Sequence, residues 1–338
     1  MQLEDLEKLV PTTLNAALAA YAIFDRATQA DIRNNDYGTR VPFSDAPIHI
    51  YQADQPIFGN KYIDACYVGE IDGYVILSFR GTLSDFNIHH GEGFISTVKD
   101  WLNDANAEPK VFDPLPGKVH HGFCKSLQHL QNKGCFTDVI QRLQGGNKQL
   151  IITGHSKGGG IVPIAAMLLV IAHGISANNI HPIMFEPARS GNEHFANAFH
   201  SVFSNDTNPA IRYEYQDDIV PHMPPTSAEI PHFKKNIGLR LIEDFLELFD
   251  GLDHWDYASV GTLNFIDWQD QIQTYPAGVA HPSLFEERMR HLIAVLDQNP
   301  SQCLCDHVAC GSKGCDTDKA YFYKVITGVQ CPAAELAT

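Results

Sequence analysis

The chain has 338 residues, 44% of them hydrophobic, so it is long enough to bury a substantial core. Its 40 acidic and 24 basic residues give a net charge of −16, which disfavours nucleic acid and anionic membrane surfaces as partners. The longest apolar run, residues 161–172, is too short to span a bilayer. These properties predict a globular protein without stable membrane insertion, and they leave its oligomeric state open.

The N-terminal part of the chain predicts helical cover followed by a polar loop. Residues 1–7 are acidic, where a secretory signal would be basic and followed by an apolar stretch. Either the protein stays in the cytoplasm or it is secreted and its leader is absent from this numbering, so the compartment stays open. We expect a helix over 13–25 and a loop region over 31–55.

Two strands and a helix are expected next. Residues 62–70 and 74–79 alternate apolar and polar side chains around Asp72-Gly73, which predicts a β-hairpin. Residues 123–143 have a helical pattern that Gly134 weakens.

The most informative segment lies near the middle of the chain. An apolar strand at 149–153 runs into Gly-His-Ser-Lys-Gly and then into an apolar helix at 161–170. This context turns a G-x-S-x-G pattern into a predicted nucleophile elbow, with Ser156 as the nucleophile. Gly154 and Gly158 would let the strand and the helix approach closely. A Walker phosphate loop fits poorly, because the G-x-x-x-x-G-K-S/T spacing is absent.

The remaining pattern alternates strands and helices. We expect a strand at 183–185, a helix at 193–203, a strand at 211–215 and a late helix at 284–296. Such alternation predicts a single α/β domain over 1–338, with a mostly parallel central sheet covered by helices on both faces.

Five of the eight cysteines lie within 300–338, at Cys303, Cys305, Cys310, Cys315 and Cys331. Their spacing does not match the paired C-x2-C pattern of common zinc sites, so disulfides or free thiols are favoured over a metal. We expect this Cys-rich segment to pack on the domain.

Six motifs occur in order along the chain: Phe79-Arg80-Gly81-Thr82, Asp100-Trp101-Leu102-Asn103-Asp104, Val119-His120-His121-Gly122-Phe123, the elbow, Phe185-Glu186-Pro187-Ala188-Arg189-Ser190-Gly191-Asn192 and Asp218-Ile219-Val220-Pro221. Their order and rough spacing are those of the fungal-type, or class 3, lipases, and the chain resembles that family over about 79–221. The resemblance implies an α/β-hydrolase fold, no metal or other cofactor, and hydrolysis of acyl esters. Lys157 stands where the family commonly has leucine, and Glu186 where it commonly has glycine.

A serine nucleophile needs a histidine to take its proton and a carboxylate to orient that histidine, in the chain order Ser, Asp, His. Asp218 is the preferred carboxylate because it follows a strand end and leads the family-like Ile-Val-Pro, with Asp217 as its rival. Six histidines follow Asp218 in the chain, namely His222, His232, His254, His281, His291 and His307. We keep two of them as candidate bases. His307 is preferred, since Asp306-His307 followed by two tyrosines resembles the pattern that closes many family members; His281, directly before the late helix, is the alternative.

The oxyanion hole is expected from the backbone N–H groups of Thr82 and Lys157. Residues 83–98 carry apolar side chains and Gly91 and Gly93 as candidate hinges, so they are a probable lid, with an ordinary connecting loop as the alternative.

These features predict a triacylglycerol lipase that acts on lipid esters at an oil–water interface. Phospholipase A1 and short-chain carboxylesterase are the near alternatives. A catalytically silent hydrolase-fold protein that binds a lipid or a protein partner is the alternative from a different class.

Overall fold

The computed structural model describes residues 3–53, 64–82, 107–145, 148–205, 208–236, 255–310, 315 and 319–332. Its main feature is an eight-stranded sheet whose spatial order is the same as the chain order. The strands are β1 (His49–Ala53), β2 (Asp64–Ile71), β3 (Tyr74–Phe79), β4 (Gln149–His155), β5 (Ile180–Phe185), β6 (Ile211–Tyr215), β7 (Thr262–Ile266) and β8 (Ile272–Tyr275).

The centre of the sheet is parallel and its edges are antiparallel. β3 to β7 form four consecutive parallel pairs, whereas β1, β2 and β8 join as antiparallel edge strands. In a parallel sheet the carboxyl ends of the strands meet at one edge, where such folds collect their functional residues. The ends of β3, β4, β5 and β6 therefore bring four of the predicted motifs together.

Helices cover both faces, so the central strands are almost fully buried. They are α1 (Leu3–Ala19), α2 (Gln29–Asn34), α3 (His121–Asn132), α4 (Cys135–Leu143), α5 (Lys157–Ile171), α6 (Glu193–Phe203), α7 (Ile230–Asn236), α8 (Pro282–Gln298), α9 (Pro300–His307) and α10 (Tyr321–Thr327). One buried cluster contains the apolar residues of α3, α4 and α5, and a second contains those of α1 and α10 on the other face. This is the architecture of an α/β-hydrolase.

Several predicted elements are confirmed and others differ. β3, β6 and α6 have the predicted bounds, and the hairpin turn places Asp72 and Gly73 at positive φ. Gly134, at φ 103°, separates α3 from α4. The predicted loop at 31–55 is wrong, because α2 extends into it and β1 lies within it.

The C-terminal segment is described in part. Disulfides join Cys305 to Cys315 and Cys310 to Cys331, while Cys303 is buried and unpaired with another cysteine. The predicted lid at 83–98 lies outside the described residues. Over the ranges given above, no helix has the length and apolar character needed to cross a membrane.

Candidate active site

The turn at Ser156 has the geometry expected of a nucleophile elbow. Ser156 lies between β4 and α5 with φ 60° and ψ −129°, a conformation that non-glycine residues rarely adopt. Its backbone N–H donates to the carbonyl oxygen of Phe185, at the end of the neighbouring strand β5, at 3.0 Å. The strained residue is thus fixed to the edge of the sheet.

Glycine is required on both sides of the serine because β4 and α5 approach each other too closely for side chains. A Cβ atom at Gly154 would lie 2.4 Å from the carbonyl carbon of Gly158, and one at Gly158 would lie 2.3 Å from the carbonyl oxygen of Phe79. Real Cβ atoms do not approach other atoms this closely, so any side chain would displace backbone. The spacing of the motif therefore follows from the packing of β3, β4 and α5.

Two backbone segments could supply oxyanion donors. Lys157 is the first residue of α5, and the first N–H groups of a helix have no partner within the helix. Thr82 follows β3, which pairs with β4 in a register that sets Phe79 opposite Gly154. Both predicted donors thus follow the carboxyl ends of adjacent strands.

The side chain of Lys157 is engaged by a buried carboxylate. Its Nζ lies 2.7 Å from Oδ1 of Asp64, and both side chains are largely buried. Nδ1 of His129 lies 3.3 Å from the other oxygen of Asp64. The lysine beside the nucleophile is therefore held in an ion pair on the side of β2, while its backbone N–H is unaffected.

His307 and Asp218 form a buried pair. Nδ1 of His307 donates to Oδ2 of Asp218 at 2.8 Å, and both side chains are at most 2% exposed. Oδ1 of Asp218 accepts the backbone N–H of Val220 at 2.8 Å. Because Nδ1 carries the proton in this hydrogen bond, Nε2 of the neutral ring is left as the basic nitrogen.

The rival carboxylate has a different partner. Both oxygens of Asp217 lie 3.1 Å from the indole Nε1 of Trp268, which donates a bifurcated hydrogen bond. Burial raises the pKa of Asp217, against the smaller opposing effect of that hydrogen bond. Its contacts are thus with an indole, whereas those of Asp218 are with the imidazole.

His155, which the sequence analysis did not single out, connects the elbow to His307. Its Nε2 lies 3.0 Å from the carbonyl oxygen of His307, so this nitrogen must be the donor. Nδ1 then accepts the hydroxyl proton of Tyr21 at 2.8 Å. Burial lowers the pKa of His155, which keeps this ring neutral. The rings of His155 and His307 also stack at 4.7 Å, so the histidine paired with Asp218 lies beside the residue that precedes Ser156.

The alternative base has other surroundings. The ring of His281 lies against that of Tyr275, with 4.9 Å between the ring centroids, at the start of α8.

His222 belongs to a buried ionic network. Glu229 bonds both His222 and Arg189, and a guanidinium nitrogen of Arg288 lies 3.1 Å from Nε2 of His222. His254 lies outside the described residues. In the parts of the chain that the structure covers, no group of three or more His, Cys, Asp or Glu side chains is arranged to hold a metal ion.

The sheet order, the elbow and the covering helices define an α/β-hydrolase. Residues 77–228 match the family described as Lipase (class 3). This match agrees with the resemblance to class 3 lipases that the six motifs indicate.

Known relatives agree with this assignment. A curated lipase from Rhizomucor miehei is 32% identical over 166 residues, which cover 48% of this chain and 41% of the relative. The chain thus spans less than half the length of that relative. Among solved structures, the lipase from Rhizopus microsporus var. chinensis has 18% identity and a TM-score of 0.58, covering 88% of this chain and 90% of its own.

A second solved structure, described as a triacylglycerol lipase whose catalytic centre is formed by a serine protease triad, has 21% identity and a TM-score of 0.56. It covers 85% of this chain and 90% of its own. At these identities the two structural matches establish the shared fold.

Proposed function

We propose that the protein is a carboxylic ester hydrolase with Ser156 as nucleophile, His307 as base and Asp218 as the carboxylate that orients the base. The observation that carries the proposal is the buried 2.8 Å hydrogen bond between His307 and Asp218. The contact of His155 with His307 supports it, because it keeps this pair beside the elbow. The lipases that the chain resembles support the same reaction class.

In the first half of the proposed reaction, the hydroxyl oxygen of Ser156 attacks the ester carbonyl carbon while Nε2 of His307 takes the hydroxyl proton. Asp218 stabilises the resulting imidazolium through Nδ1. The backbone N–H groups of Lys157 and Thr82 donate to the oxyanion of the tetrahedral intermediate. The intermediate then collapses, and His307 returns the proton to the departing alcohol, leaving an acyl-enzyme.

In the second half, His307 removes a proton from water, and the hydroxide attacks the acyl carbonyl. As the second tetrahedral intermediate collapses, the bond between the acyl carbon and the serine oxygen breaks and His307 returns its proton to that oxygen, which restores Ser156 and releases the carboxylic acid. The same imidazole therefore serves as base and then as acid in each half of the cycle.

Triacylglycerols at an oil–water interface are the substrates that we propose within this reaction class. The description of one structural relative as a triacylglycerol lipase supports this choice. The net charge of −16 also favours neutral lipids over anionic phospholipid surfaces.

The test of the reaction class is covalent labelling with a fluorophosphonate, which reacts with an activated serine. We expect labelling of the wild-type protein and its loss in Ser156→Ala, together with a loss of turnover of about a millionfold. Ser201→Ala, which changes an exposed serine on α6, is the control and should leave labelling intact. No labelling of the folded wild-type protein would instead favour a catalytically silent hydrolase-fold protein.

The substrate class is tested with nitrophenyl esters of increasing acyl length, each assayed with and without an emulsified interface. A lipase should prefer long chains and should gain activity at the interface. A preference for short chains without interfacial gain would identify a carboxylesterase. Faster release of the sn-1 acyl chain from phosphatidylcholine than from trioleoylglycerol would identify a phospholipase A1.

A further inference from the structure

A buried histidine closes the turn that bonds Asp218. His222 is 4% exposed and ends a single helical turn, Val220–His222, that begins two residues after Asp218. The N–H of Val220 donates to Oδ1 of Asp218 at 2.8 Å, and the N–H of His222 donates to the carbonyl oxygen of Ile219 at 2.9 Å. A displacement of His222 would therefore move the turn that holds the carboxylate.

The two ring nitrogens of His222 have charged partners that fix its tautomer. Nδ1 lies 2.7 Å from Oε1 of Glu229, and Nε2 lies 3.1 Å from a guanidinium nitrogen of Arg288. A guanidinium group only donates hydrogen bonds, so Nε2 must be the acceptor. The proton of the ring is therefore on Nδ1, which donates it to Glu229, and the ring is neutral.

Glu229 connects His222 to the loop beside the elbow. Each of its carboxylate oxygens lies 2.6 Å from a guanidinium nitrogen of Arg189. Arg189 also donates to the carbonyl oxygens of His222 and Pro224, at 2.8 Å each. It lies in the loop after β5, the strand whose last carbonyl accepts the N–H of Ser156. The segment that contains His222 is thus held against the loop beside the elbow.

Arg288 links the same segment to the helices that carry the proposed base. It lies on α8, where one guanidinium nitrogen contacts Nε2 of His222 and the other lies 2.6 Å from Oε2 of Glu214 on β6. A single residue separates α8 from α9, and α9 ends at His307. The contact between His222 and Arg288 therefore ties the segment that follows Asp218 to the helix pair that ends in His307.

The charges around His222 agree with a neutral ring. Burial lowers the pKa of His222, the positive charges of Arg288 and Arg189 add to this decrease, and the bonded Glu229 opposes it. These three groups lie on α8, in the loop after β5 and directly before α7. Glu214, on β6, is a further charged neighbour and is paired with Arg288. The ring therefore stays neutral at neutral pH, as its two hydrogen bonds require.

We propose that His222 positions the base of the proposed triad, because it ties the segment after Asp218 to α8 and so fixes where α9 presents His307. It acts through Arg288 and has no role in the transfer of protons, so it is a positioning residue. This inference rests on the proposed roles of Asp218 and His307.

Two variants and one control separate this role from packing. His222→Gln keeps one donor and one acceptor and removes the titratable ring, whereas His222→Leu keeps an apolar side chain and removes both. His181→Leu is the matched control, since His181 is also buried and bonds Gln149 at 3.0 Å. It lies near the start of β5, at the end of the sheet opposite to the site. Circular dichroism would verify that each variant is folded at the assay temperature.

We expect His222→Gln and His181→Leu to retain kcat on a soluble ester within about threefold. His222→Leu should lower kcat by about 10- to 100-fold with little change in KM, as for misplacement of a catalytic group by about 1 Å. A kcat of folded His222→Leu equal to that of the wild-type protein, or an equal loss in His181→Leu, would overturn the proposal.

A double-mutant cycle tests whether His222 acts through Arg288. Arg288→Met removes the guanidinium group and keeps an unbranched side chain, so it should lower kcat as His222→Leu does. The double variant His222→Leu/Arg288→Met should then lose no more kcat than the worse single variant, because both changes break one contact. Losses that multiply in the double variant would overturn the proposal.

Heteronuclear NMR tests the arrangement without relying on turnover. In the wild-type protein at neutral pH, His222 should have a proton on Nδ1 and none on Nε2, with its signals assigned by their loss in His222→Gln. The Nδ1–H resonance of His307 should move in His222→Leu and stay in place in His181→Leu.

A proton on Nε2 of His222, or an unchanged His307 resonance in folded His222→Leu, would overturn the proposal. The first of these measurements needs only the wild-type protein and His222→Gln, so it remains decisive if His222→Leu does not fold. If the wild-type protein is neither labelled nor active while the His307 resonance moves as expected, the proposed function fails and the positioning of His307 by His222 stands.

Discussion

Nδ1 of His307 lies 2.8 Å from Oδ2 of Asp218 although 89 residues separate them in the chain. The pair is formed between the loop that follows β6 and the C-terminal end of α9. Because both side chains are buried, this hydrogen bond is protected from competition with water, which strengthens its control over the orientation of the ring.

The first prediction concerns the identity of the base. We expect His307→Ala to lower kcat by several orders of magnitude on a soluble ester, because the hydroxyl of Ser156 then has no proton acceptor. His281→Ala should change kcat by only a few fold. Circular dichroism would verify that both variants are folded, and the reverse ranking would assign the base to His281.

Substitutions of the two adjacent carboxylates, Asp218 and Asp217, should differ in their effect on kcat. Asp218→Asn should lower kcat by about 10⁴-fold, because an amide no longer stabilises the imidazolium or fixes the tautomer of His307. Asp217→Asn alters a carboxylate that bonds Trp268, and it should retain most of the activity. Steady-state kinetics on one ester measures both, and a larger loss in Asp217→Asn would contradict the assignment.

The close approach at the elbow predicts a loss of stability on small substitution. The Cβ atom of Gly158→Ala would lie 2.3 Å from the carbonyl oxygen of Phe79. Overpacking of this kind costs about 1–3 kcal/mol, so we expect the free energy of unfolding to fall by about that amount. Gly69→Ala is the matched control, since its Cβ would have ordinary contacts of 3.4 Å or more. Urea denaturation would measure the unfolding midpoints of Gly158→Ala and Gly69→Ala. Equal midpoints for the two variants would contradict the steric argument.

The sequence predicts much of the fold where local pattern and tertiary environment agree. β3 is a short apolar strand, β6 alternates apolar and charged side chains, and α6 has a regular helical pattern, so their bounds match. The sequence pattern does not predict β1, because four of its five residues are exposed or half-exposed. The strand forms through its pairing with β2. No local apolar run marks such an edge strand.

Some residues of the candidate site can be predicted from local sequence pattern, and others depend on contacts across the fold. Ser156 is predictable because the elbow is a local structure with a steric requirement for glycine. The choice between His307 and His281 depends on a contact across the fold, which spacing alone could not fix. His155 gave no signal as part of the site, since its role comes from the partners that the fold brings to it.

The disulfides give a prediction about the base. Cys305, two residues before His307, is bonded to Cys315. The double variant Cys305→Ser/Cys315→Ser should therefore lower kcat as well as stability, the latter by about 3 kcal/mol. Cys310→Ser/Cys331→Ser removes the second bond, farther along the chain, and should act mainly on stability. Melting temperatures and kcat values test this, and an equal fall of kcat in both would contradict it.

Asp306 should make stability depend on pH. Burial raises its pKa to about 6, against the opposing effects of Lys319 and Gln302. Because the folded state binds this proton more tightly than the unfolded state, the contribution of Asp306 to stability is greatest below pH about 4 and falls by about 3 kcal/mol as the pH rises through 6.

Asp306→Asn should remove this part of the pH dependence, and the exposed Asp297→Asn should leave it unchanged. Urea denaturation at several values between pH 4 and 7.5 measures both. A wild-type slope that persists in Asp306→Asn would contradict the assignment.

The position of His307 late in the chain affects when activity can begin during synthesis. A nascent polypeptide that has left the ribosome only as far as α7 already contains Ser156 and Asp218 but not His307, the proposed base. On the proposed roles, ester cleavage must therefore await the emergence of α9 and its docking against Asp218.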